Sequence, residues 1–550
     1  MALNLSGRLE NDVLKSGPAP IFVQLPTRTV LNMNLKNFLL ALTLSSLLTV
    51  SASGQYLAGH VNSNYAGTNS LYHNPAFAAD SRYRVHVNLA TADAFINNNF
   101  LRWNAPFSFI SLISGNVPRP YRNEKGLVRW EKSYMQETQH HRPKHVASAM
   151  DLRGPSLLIN LNPRWGLGLT TRVRTGVGMR RVSENLARQL YNSKPDEVAT
   201  DELFYENQRG YAALNSAFEM GGTVGYVLAD NEEDFWKVGL TLKRLVGLYN
   251  AHIHLDRATY ELIGNPGDKA YEALAIHNAN GELGYTSFDG LANFRFTPGW
   301  LLGRAAAGGG WGADLGVVYE HRPDVRRYRY RDGKHGMQKD ASQNKYQYRI
   351  SASLTDLGGI RYRNANYVTN YPVNVENKLL TKEFLGEVKD LDDVTNGFVS
   401  ALGISDAEKQ SRMNASLPTA LQLSVDYKVR PHVYVNALWV QSLTGARSRG
   451  MRTPSMVGVV PRWETRWAEV SLPVLWQADY SNLSVGAAVR LGTIFVGSDN
   501  LAGILNVGKP RGASVYAGAG IPLFRPAPTN PNACYQPWRR KGLLDWFRRD

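Results

Sequence analysis

The sequence of 550 residues contains a single cysteine and no long hydrophobic run. With Cys534 alone no intrachain disulfide can form, which argues against a disulfide-stapled secreted fold. No stretch of 18 consecutive apolar residues occurs, and a bundle of membrane-spanning helices is therefore excluded. These absences leave a transmembrane β-barrel open, because only alternate residues of its strands face lipid.

Motifs that carry catalysis or bind cofactors are also missing. No nucleophile elbow, H-E-x-x-H, P-loop or cysteine pair occurs. His140, His141 and His145 lie close together, but no carboxylate or cysteine completes a metal site, so a solvated loop is the favoured interpretation. The G-x-G-x-x-A match at 308–313 leads into strand alternation and not into a helix, which argues against nucleotide binding. We expect no enzyme, cofactor or metal, although an enzyme built inside a barrel stays open as a third hypothesis.

Basic residues and glycine are abundant instead: the formal net charge is +16, and 49 residues are glycine. A basic chain suggests binding to nucleic acid or to an anionic surface. An export signal argues against nucleic acid. We expect the arginines to face a wet lumen or to contact the phosphates of outer-membrane lipids, because guanidinium groups bind phosphate well.

The export signal follows the second methionine, Met33. One lysine precedes the apolar segment Phe38 to Val50, and small residues come next, which is the pattern of a secretory signal peptide cleaved after Gly54. A buried helix is the alternative interpretation. We therefore interpret 1–32 as a spurious N-terminal extension and 33–54 as the signal peptide of an outer-membrane protein.

Residues from Trp165 to Arg180 alternate with a period of two, and successive residues of a strand point to opposite faces. One face is mostly apolar: Trp165, Leu167, Leu169, Thr171, Val173, Thr175, Val177 and Met179. The other face carries mainly glycine and arginine: Gly166, Gly168, Thr170, Arg172, Arg174, Gly176, Gly178 and Arg180. A soluble strand usually spans ~5–6 residues, whereas a tilted strand that crosses a bilayer needs about 9–11. We therefore predict a membrane-spanning strand whose glycine and arginine face lines a lumen.

The same alternation recurs along the chain, at 82–89, 157–161, 218–228, 237–243, 313–319, 421–430, 482–491 and 513–523. Such segments, joined by polar turns, are typical of up-and-down membrane barrels. The predicted fold is all-β: a transmembrane antiparallel β-barrel over residues 82–524. It has about 14 strands, with 12 or 16 as alternatives, since bacterial barrels favour even strand numbers.

Tryptophans mark the borders of one apolar segment. Trp463, Trp467 and Trp476 bracket residues 470–474, and interfacial tryptophans on either side of an apolar band are typical of aromatic girdles. Ordinary core aromatics are the alternative interpretation.

Three segments depart from the alternation. Residues 183–192 carry apolar residues at helical spacing after a serine cap, which predicts a helix, and 193–210 continue as a loop. Residues 376–412 also show helical spacing, so we predict a helical extramembrane insertion that serves as a lid, a partner-binding surface or filler. Residues 525–550 form a basic, aromatic tail that lies on an anionic membrane surface or is disordered.

Residues 55–81 are small, polar and turn-rich, and they contain Asn74, Pro75 and Ala76 shortly before the first strand. Such a segment resembles those of FadL-type outer-membrane transporters and of the PorP- and PorV-like barrels of type IX secretion. The string NSNYAGTNSLYHNPAFAADSRYRVHVNLA most resembles a Bacteroidota family of outer-membrane barrels without an established activity. Later strings agree with that resemblance: DLRGPS at 151–156, DLGGI at 356–360 and GSDNL at 497–501. The FadL-type resemblance implies that residues 55–81 plug the barrel.

By strand parity, several basic residues share the face expected to line the lumen: Arg82, Arg84, Arg172, Arg174, Arg180, Lys237, Lys243 and Arg490. A basic lumen suits carboxylate or phosphate groups, which guanidinium binds in a fork. The alternative is that these residues form structural ion pairs with Glu219, Asp314 and Asp426.

Two functions follow from this interpretation. The first is a FadL-like channel or transporter for an apolar or amphiphilic anionic ligand. The second is a non-transporting outer-membrane scaffold that binds a secretion or surface protein. A transporter should keep a continuous or gated lumen, whereas a scaffold can be plugged solid.

Overall fold

The computed structural model describes residues 56–526 except for 109–110, 113–114, 125, 139, 141, 192–203, 265–270, 288–296, 302–305, 333–335, 382–396 and 398. The predicted extension at 1–32, the signal peptide at 33–54 and nearly all of the tail at 525–550 lie outside the described residues.

The strands, numbered in chain order, are β1 (Tyr83–Asn98), β2 (Leu101–Trp103), β3 (Met135–Glu137), β4 (Lys144–Arg153), β5 (Ser156–Asn160), β6 (Trp165–Val182), β7 (Phe204–Asp230), β8 (Asp234–Gly264), β9 (Tyr271–Thr286), β10 (Gly308–His321), β11 (Arg329–Asp332), β12 (Gly336–Lys339), β13 (Tyr348–Tyr362), β14 (Val368–Thr381), β15 (Met413–Ser416), β16 (Ala420–Arg430), β17 (Val433–Ser442), β18 (Met456–Glu464), β19 (Ala468–Ser471), β20 (Val474–Gln477), β21 (Asn482–Val485), β22 (Ala487–Leu491), β23 (Ile494–Ser498) and β24 (Gly512–Phe524). The α-helices are α1 (Glu184–Tyr191), α2 (Pro298–Leu301) and α3 (Leu501–Leu505). Short 3-10 helices lie at Gly67–Tyr72, Pro75–Ala78, Arg119–Tyr121, Lys132–Tyr134, Val325–Tyr328 and Asp406–Glu408.

The main sheet closes on itself. Strand β1 pairs with β24 on one side and with β4 and β5 on the other, and all of these pairings are antiparallel. Four wall strands are interrupted once, so each consists of two segments: β4 with β5, β15 with β16, β19 with β20, and β21 with β22. The wall is therefore a closed 14-strand antiparallel barrel, which confirms the predicted fold and strand number.

The two ends of the barrel differ. At the short-turn end, wall strands are joined by brief connections such as 431–432 and 492–493, and the first and last wall strands pair there through Tyr83 and Phe524. At the opposite, long-loop end, β7 and β8 extend beyond the ring, where β9 pairs with β8 on one side and with β14 on the other. This asymmetry of short turns and long loops is the usual one in bacterial barrels.

The outer face of the ring is apolar. Many of its aliphatic side chains are exposed, among them Leu167, Leu169, Val224, Leu240, Leu242, Leu315, Ile350, Val425, Val459, Leu483 and Ile521. Exposed tryptophans border this band, with Trp165, Trp236 and Trp463 toward the short-turn end and Trp439 and Trp476 toward the long-loop end. Trp463 and Trp476 therefore lie where girdle residues belong and not in a core. Among the described residues, no helix has both the length and the apolar character needed to cross a membrane.

Two predictions about local structure, those for Arg84 and for residues 376–381, are wrong, and a third, for the loop at 193–210, is wrong in its extent. The side chain of Arg84 is exposed, because the β1–β24 register shifts between Tyr83 and Val85 and turns it away from the lumen. Residues 376–381 are not helical, because they end strand β14 and pair with β9. Cross-strand pairing overrides the local helical spacing there, and 382–396 lie outside the described residues.

The connection between β6 and β7 is predicted to contain a helix at 183–192 and a loop at 193–210. The helix predicted at 183–192 is confirmed as α1. The loop predicted over 193–210 is too long, because β7 already begins at Phe204. The strand continues there by pairing with the equally extended β8.

Candidate functional site

The segment before β1 fills the lumen, and residues 56–79 are called the plug. Nearly all of its residues are buried. Its polar side chains bond to the wall: Asn62 Nδ2 donates to Asn436 Oδ1 over 3.1 Å, and Ser63 Oγ donates to Glu469 Oε2 over 2.6 Å. The plug that the resemblance implies is therefore present in the fold.

A row of glycines in the wall receives the plug. One glycine comes from each of β6, β7, β8 and β10, and successive ones are register partners: Gly166, Gly225, Gly239 and Gly316. A Cβ atom at Gly166 would lie 1.9 Å from Ala78 O, and one at Gly239 would lie 2.3 Å from Ala76 N. Side chains are therefore excluded at this level, and the plug backbone lies directly against the wall. These four residues are called the glycine row.

Asn74 clamps the plug to the wall in front of the glycine row. Its Oδ1 accepts a hydrogen bond from Ala76 N over 2.9 Å and caps the 3-10 turn that begins at Pro75. Its Nδ2 donates to the carbonyl oxygens of Val317 and Ala352 over 3.2 and 3.1 Å. Because a buried amide must find such partners, the Asn-Pro-Ala motif joins plug and wall.

Asp499 holds the plug near its other end. Its carboxylate accepts hydrogen bonds from Ala58 N over 3.0 Å, from Gly59 N over 3.4 Å and from the Tyr516 hydroxyl over 3.1 Å. The next residue, Asn500, caps helix α3 through its side chain. This GSDNL string therefore anchors the plug at the point where β23 ends.

An ion network crosses the lumen between the glycine row and the long-loop end and is called the central network. It contains four cations and five carboxylates: Arg153, Arg172, Arg174, Lys243, Asp93, Asp151, Glu219, Asp314 and Asp356. Lys243 Nζ lies 2.6 Å from both Asp314 Oδ1 and Asp356 Oδ1. Arg172 Nη2 lies 2.8 Å from Glu219 Oε2, and Arg174 contacts the same carboxylate. The predicted cations at this level are thus paired.

Asp356 reaches the central network because β13 bulges. The β10–β13 register shifts between Ala313 and Leu315, and Asp356 adopts a φ of 58°. Next to the bulge, a Cβ at Gly310 would lie 1.9 Å from Gly359 O. The glycines of the 308–313 segment therefore permit close strand packing, as their position in a curved sheet predicts.

Lys237 and Arg490, two further predicted cations, also have carboxylate partners. Arg490 Nε lies 3.1 Å from Glu469 Oε2, and Lys237 Nζ lies 3.4 Å from Glu320 Oε1. Lys237 Nζ also donates to the plug carbonyl of Ala79 over 3.2 Å. The wall cations near the plug therefore bind it or balance the carboxylates that do.

Arg180 differs from the other predicted cations. Its side chain is buried and its Nη2 donates to Ser448 O over 2.7 Å. Its Nε and Nη1 have no hydrogen-bond partner within the described part of the chain, and no described carboxylate forms an ion pair with it. The acceptor Ser448 belongs to residues 443–455, which connect β17 to β18 and fold over the long-loop end of the lumen. This segment is called the mouth loop.

Little open space remains beside the plug. A cavity of about 30 Å³ lies between plug and wall, lined mainly by polar groups that include Asn64, Asp80, Arg82, Lys237 and Arg349. Such a volume holds about two or three water molecules. Toward the long-loop end, an apolar cluster is packed with almost no exposed surface: Leu245, Ile360, Tyr362, Met413 and Leu417. The described lumen is therefore closed by the plug and, toward the long-loop end, by this apolar cluster.

Most of the sequence that forms this plugged barrel matches a known family model. The family of unknown function DUF5723 matches residues 75–499. The chain belongs to this family. No curated protein matches the sequence.

Solved barrels are distantly similar to this DUF5723 member. The toluene transporter TbuX of Ralstonia pickettii is 11% identical with a TM-score of 0.35, over 87% of this chain and 100% of that chain. A deletion mutant of the Pseudomonas putida monoaromatic hydrocarbon channel TodX is 9% identical with a TM-score of 0.35, over 83% and 94%. A Pseudomonas aeruginosa FadL homologue is 10% identical with a TM-score of 0.29, over 84% and 96%. At these values the similarity carries no argument about ligand or mechanism.

Sequence reasoning finds the Asn74-Pro75-Ala76 motif of the plug but misses the other residues that hold the plug. Alternation places Gly166 on the lumen face, but it does not show that Gly225, Gly239 and Gly316 share its level, because that depends on strand register. Asp499 is missed for the same reason. A usable signal exists in the repeated occurrence of glycine at lumen-facing positions of successive strands.

Replacing Gly225 by Val should disturb the plug. A Cβ at Gly225 would lie 2.6 Å from Ala79 N, so the plug must shift. We expect the free energy of unfolding to fall by about 1–3 kcal/mol and the plug to become sensitive to protease. Urea unfolding, followed by heat-modifiable mobility, measures the first effect, and limited proteolysis measures the second.

The matched control lies on the same strand. A Cβ at Gly222 meets nothing within 4 Å, so Gly222→Val should change the free energy of unfolding by less than about 0.5 kcal/mol. Equal effects of the two valines would contradict the role of the glycine row.

Removing one cation of the central network should destabilise the barrel. In Lys243→Met, the buried carboxylates of Asp314 and Asp356 lose the ammonium group between them. Breaking a buried pair costs about 3–5 kcal/mol, and urea unfolding should show a loss of that size.

A second substitution tests the cause. Asp356 keeps its contacts with Arg172 and Arg174, so Lys243→Met leaves Asp314 as the unpaired charge, and adding Asp314→Asn should recover part of the loss. Lys409→Met, at an exposed position, should leave stability unchanged. No difference between Lys243→Met and this control would show that the network adds nothing to stability.

Proposed function

We propose that this DUF5723 protein is an outer-membrane transporter for an apolar or amphiphilic anionic molecule, in a closed conformation. The plug is the observation that carries this proposal. The lumen is closed by a segment of 3-10 turns that is joined to the wall by side-chain hydrogen bonds, including those of Asn74 and Asp499, and that forms no strand pairing with it among the described residues. Such a segment can move while the wall stays intact, which is what a gated barrel requires.

Location in the outer membrane is part of the proposal. The apolar band with tryptophans at its borders suits a bilayer, so outer-membrane lipids are the immediate partners. The short-turn end then faces the periplasm and the long-loop end faces outward. A signal peptide at 33–54, cleaved after Gly54, directs export.

The predicted lumen residues have different roles in this proposal. Five are paired in the closed conformation and contact an anionic ligand only by exchanging partners: Arg172, Arg174, Lys237, Lys243 and Arg490. Arg180 has N–H groups without acceptors and lies nearer the long-loop end. Of the predicted lumen cations, it is therefore the one placed to meet an anion that has passed the mouth loop.

A second candidate function is a scaffold that binds a secretion or surface protein without transporting anything. The packed lumen favours it, because the plug, the central network and the apolar cluster fill most of the described interior, and the cavities beside the plug, of about 30 and 10 Å³, are water-sized. In this case the partner contacts the long-loop end, including residues 376–412.

Loosening the plug distinguishes the two candidates. Asp499→Ala removes the acceptor for the N–H groups of Ala58 and Gly59. Loss of charge-assisted hydrogen bonds of this kind costs about 1.5–3 kcal/mol, so the open population should rise about tenfold or more. Conductance in planar bilayers and octanoate uptake into proteoliposomes measure the change.

Asp324→Ala, at an exposed position of the short-turn end, is the control and should behave as the unmodified protein does. Absence of octanoate uptake in the unmodified protein, together with absence of conductance in Asp499→Ala, would contradict transport. A stoichiometric protein partner in mass spectrometry of the natively purified protein would then support the scaffold.

A further inference from the structure

A group of buried polar side chains near the mouth loop lies outside the central network and the plug contacts. Arg180 of β6 is the register partner of Tyr211 of β7, and Tyr211 is the register partner of His254 of β8. Neighbouring strands are about 4.8 Å apart, so Arg180 and His254 flank Tyr211 on the lumen side. These side chains are 7%, 7% and 6% exposed in chain order.

Arg180 Nη2 donates to the mouth loop, but other nitrogen atoms of this group are unused within the described residues. Arg180 Nε, Arg180 Nη1 and His254 Nε2 have no hydrogen-bond partner. Buried polar groups in native proteins nearly always have one. The two Arg180 donors, together with His254 Nε2 in the tautomer that carries its proton there, indicate the place of an acceptor outside the described residues.

Space for that acceptor lies next to the guanidinium group. A Cβ at Gly178 would meet only Val146 O at 3.7 Å and Arg180 Nε at 4.0 Å, which are ordinary contacts. This glycine therefore differs from those of the glycine row, where a Cβ would collide with the plug. Its register partner is Ala213, also a small residue, so the wall leaves room beside Arg180.

The charge of the surroundings indicates a monoanion. The arginines of the mouth loop are neutralised by carboxylates: Arg447 by Asp256 at 2.6 Å, Arg449 by Glu282 at 2.6 Å and Arg452 by Asp479 at 2.5 Å. His254 lies where β8 extends beyond the ring, and burial lowers its pKa to about 4, so it is neutral. Arg180 is a buried cation of this region, and no carboxylate among the described residues forms an ion pair with it.

Apolar contacts adjoin the unused donors. The Tyr211 ring lies against the His254 ring, with 5.5 Å between centroids. Met451 of the mouth loop covers Gly176, where a Cβ would lie 2.6 Å from its Cγ. An anion bound by Arg180 can therefore place an apolar tail beside these side chains.

We propose that Arg180 and His254 bind the carboxylate of an amphiphilic monoanion beneath the mouth loop. The inference deepens the proposed function and rests on it for the claim that the bound molecule is cargo. A carboxylate fits better than a phosphate monoester, because one unpaired cation balances one negative charge. Guanidinium and imidazole N–H groups supply charge-assisted hydrogen bonds to its oxygens.

Calorimetric titration of the full protein in zwitterionic nanodiscs tests the site, with octanoate, octanol and octyl phosphate as probes. Octanoate should bind, and octanol should bind at least about tenfold more weakly, because it lacks the charge that Arg180 pairs with. Arg180→Gln should weaken octanoate binding about tenfold or more, and Arg180→Lys should recover part of the loss. Arg164→Gln, at an exposed position of the short-turn end, should bind octanoate normally.

Gly178→Val keeps the test valid if Arg180→Gln fails to assemble. It removes no hydrogen bond and fills the space beside the guanidinium, so it should also weaken octanoate binding while the barrel keeps its heat-modifiable mobility. Unchanged binding in Gly178→Val and Arg180→Gln would overturn the site. Equal affinity for octanol, or tighter binding of octyl phosphate than of octanoate, would overturn the assignment of a carboxylate.

Measurement of octanoate uptake distinguishes a failure of the proposed binding site from a failure of the proposed transport function. Octanoate uptake into proteoliposomes that is the same for Arg180→Gln and the unmodified protein would overturn the site and leave transport standing. Octanoate binding that depends on Arg180, in a protein that takes up no octanoate even as Asp499→Ala, would overturn transport and leave the site standing.

Discussion

The width of the ring is the constraint on which the rest of this structure depends. About eight strands enclose a space that side chains can fill, whereas 16–18 strands leave an aqueous channel. A ring of 14 strands lies nearer the second case, so the interior needs material that the wall cannot supply. The plug supplies it, and the glycine row lets a second layer of backbone lie directly on the first. Asn74 and Asp499 then satisfy backbone groups that would otherwise be buried without partners.

The pairing of charged side chains in the lumen also follows from how completely the lumen is filled. A buried arginine needs a carboxylate close by, because desolvation is costly when it is unpaired. The central network meets that need with nearly equal numbers of both signs, so the chain's net charge of +16 does not make the lumen basic. Arg180 departs from this rule within the described residues, and it does so beside the mouth loop, where a molecule from outside arrives first.

The sequence predicts features that are set within a single strand, such as which residues face the lumen. It does not predict features that depend on the register between neighbouring strands. Alternation from Trp165 to Arg180 is a local property, so the faces of β6 and the barrel itself follow from it. The pairing of Arg172 with Glu219 depends on register, which alternation does not contain. The same limit hides the glycine row and the β1 bulge that exposes Arg84. Apolar residues at helical spacing predict a helical insertion over 376–412, yet pairing with β9 makes its first residues, 376–381, a strand.

The hydrogen bond between Ala58 and Asp499 has a consequence for the timing of folding. It joins residues 441 positions apart, and the seam between β1 and β24 likewise joins the beginning of the wall to its end. Contacts so distant along the chain form slowly, because a long loop must close first. Both become possible only after the last strands have been synthesised. Until then the plug lacks its anchor and the sheet keeps two open edges, which ties completion of the lumen to the C-terminal strands.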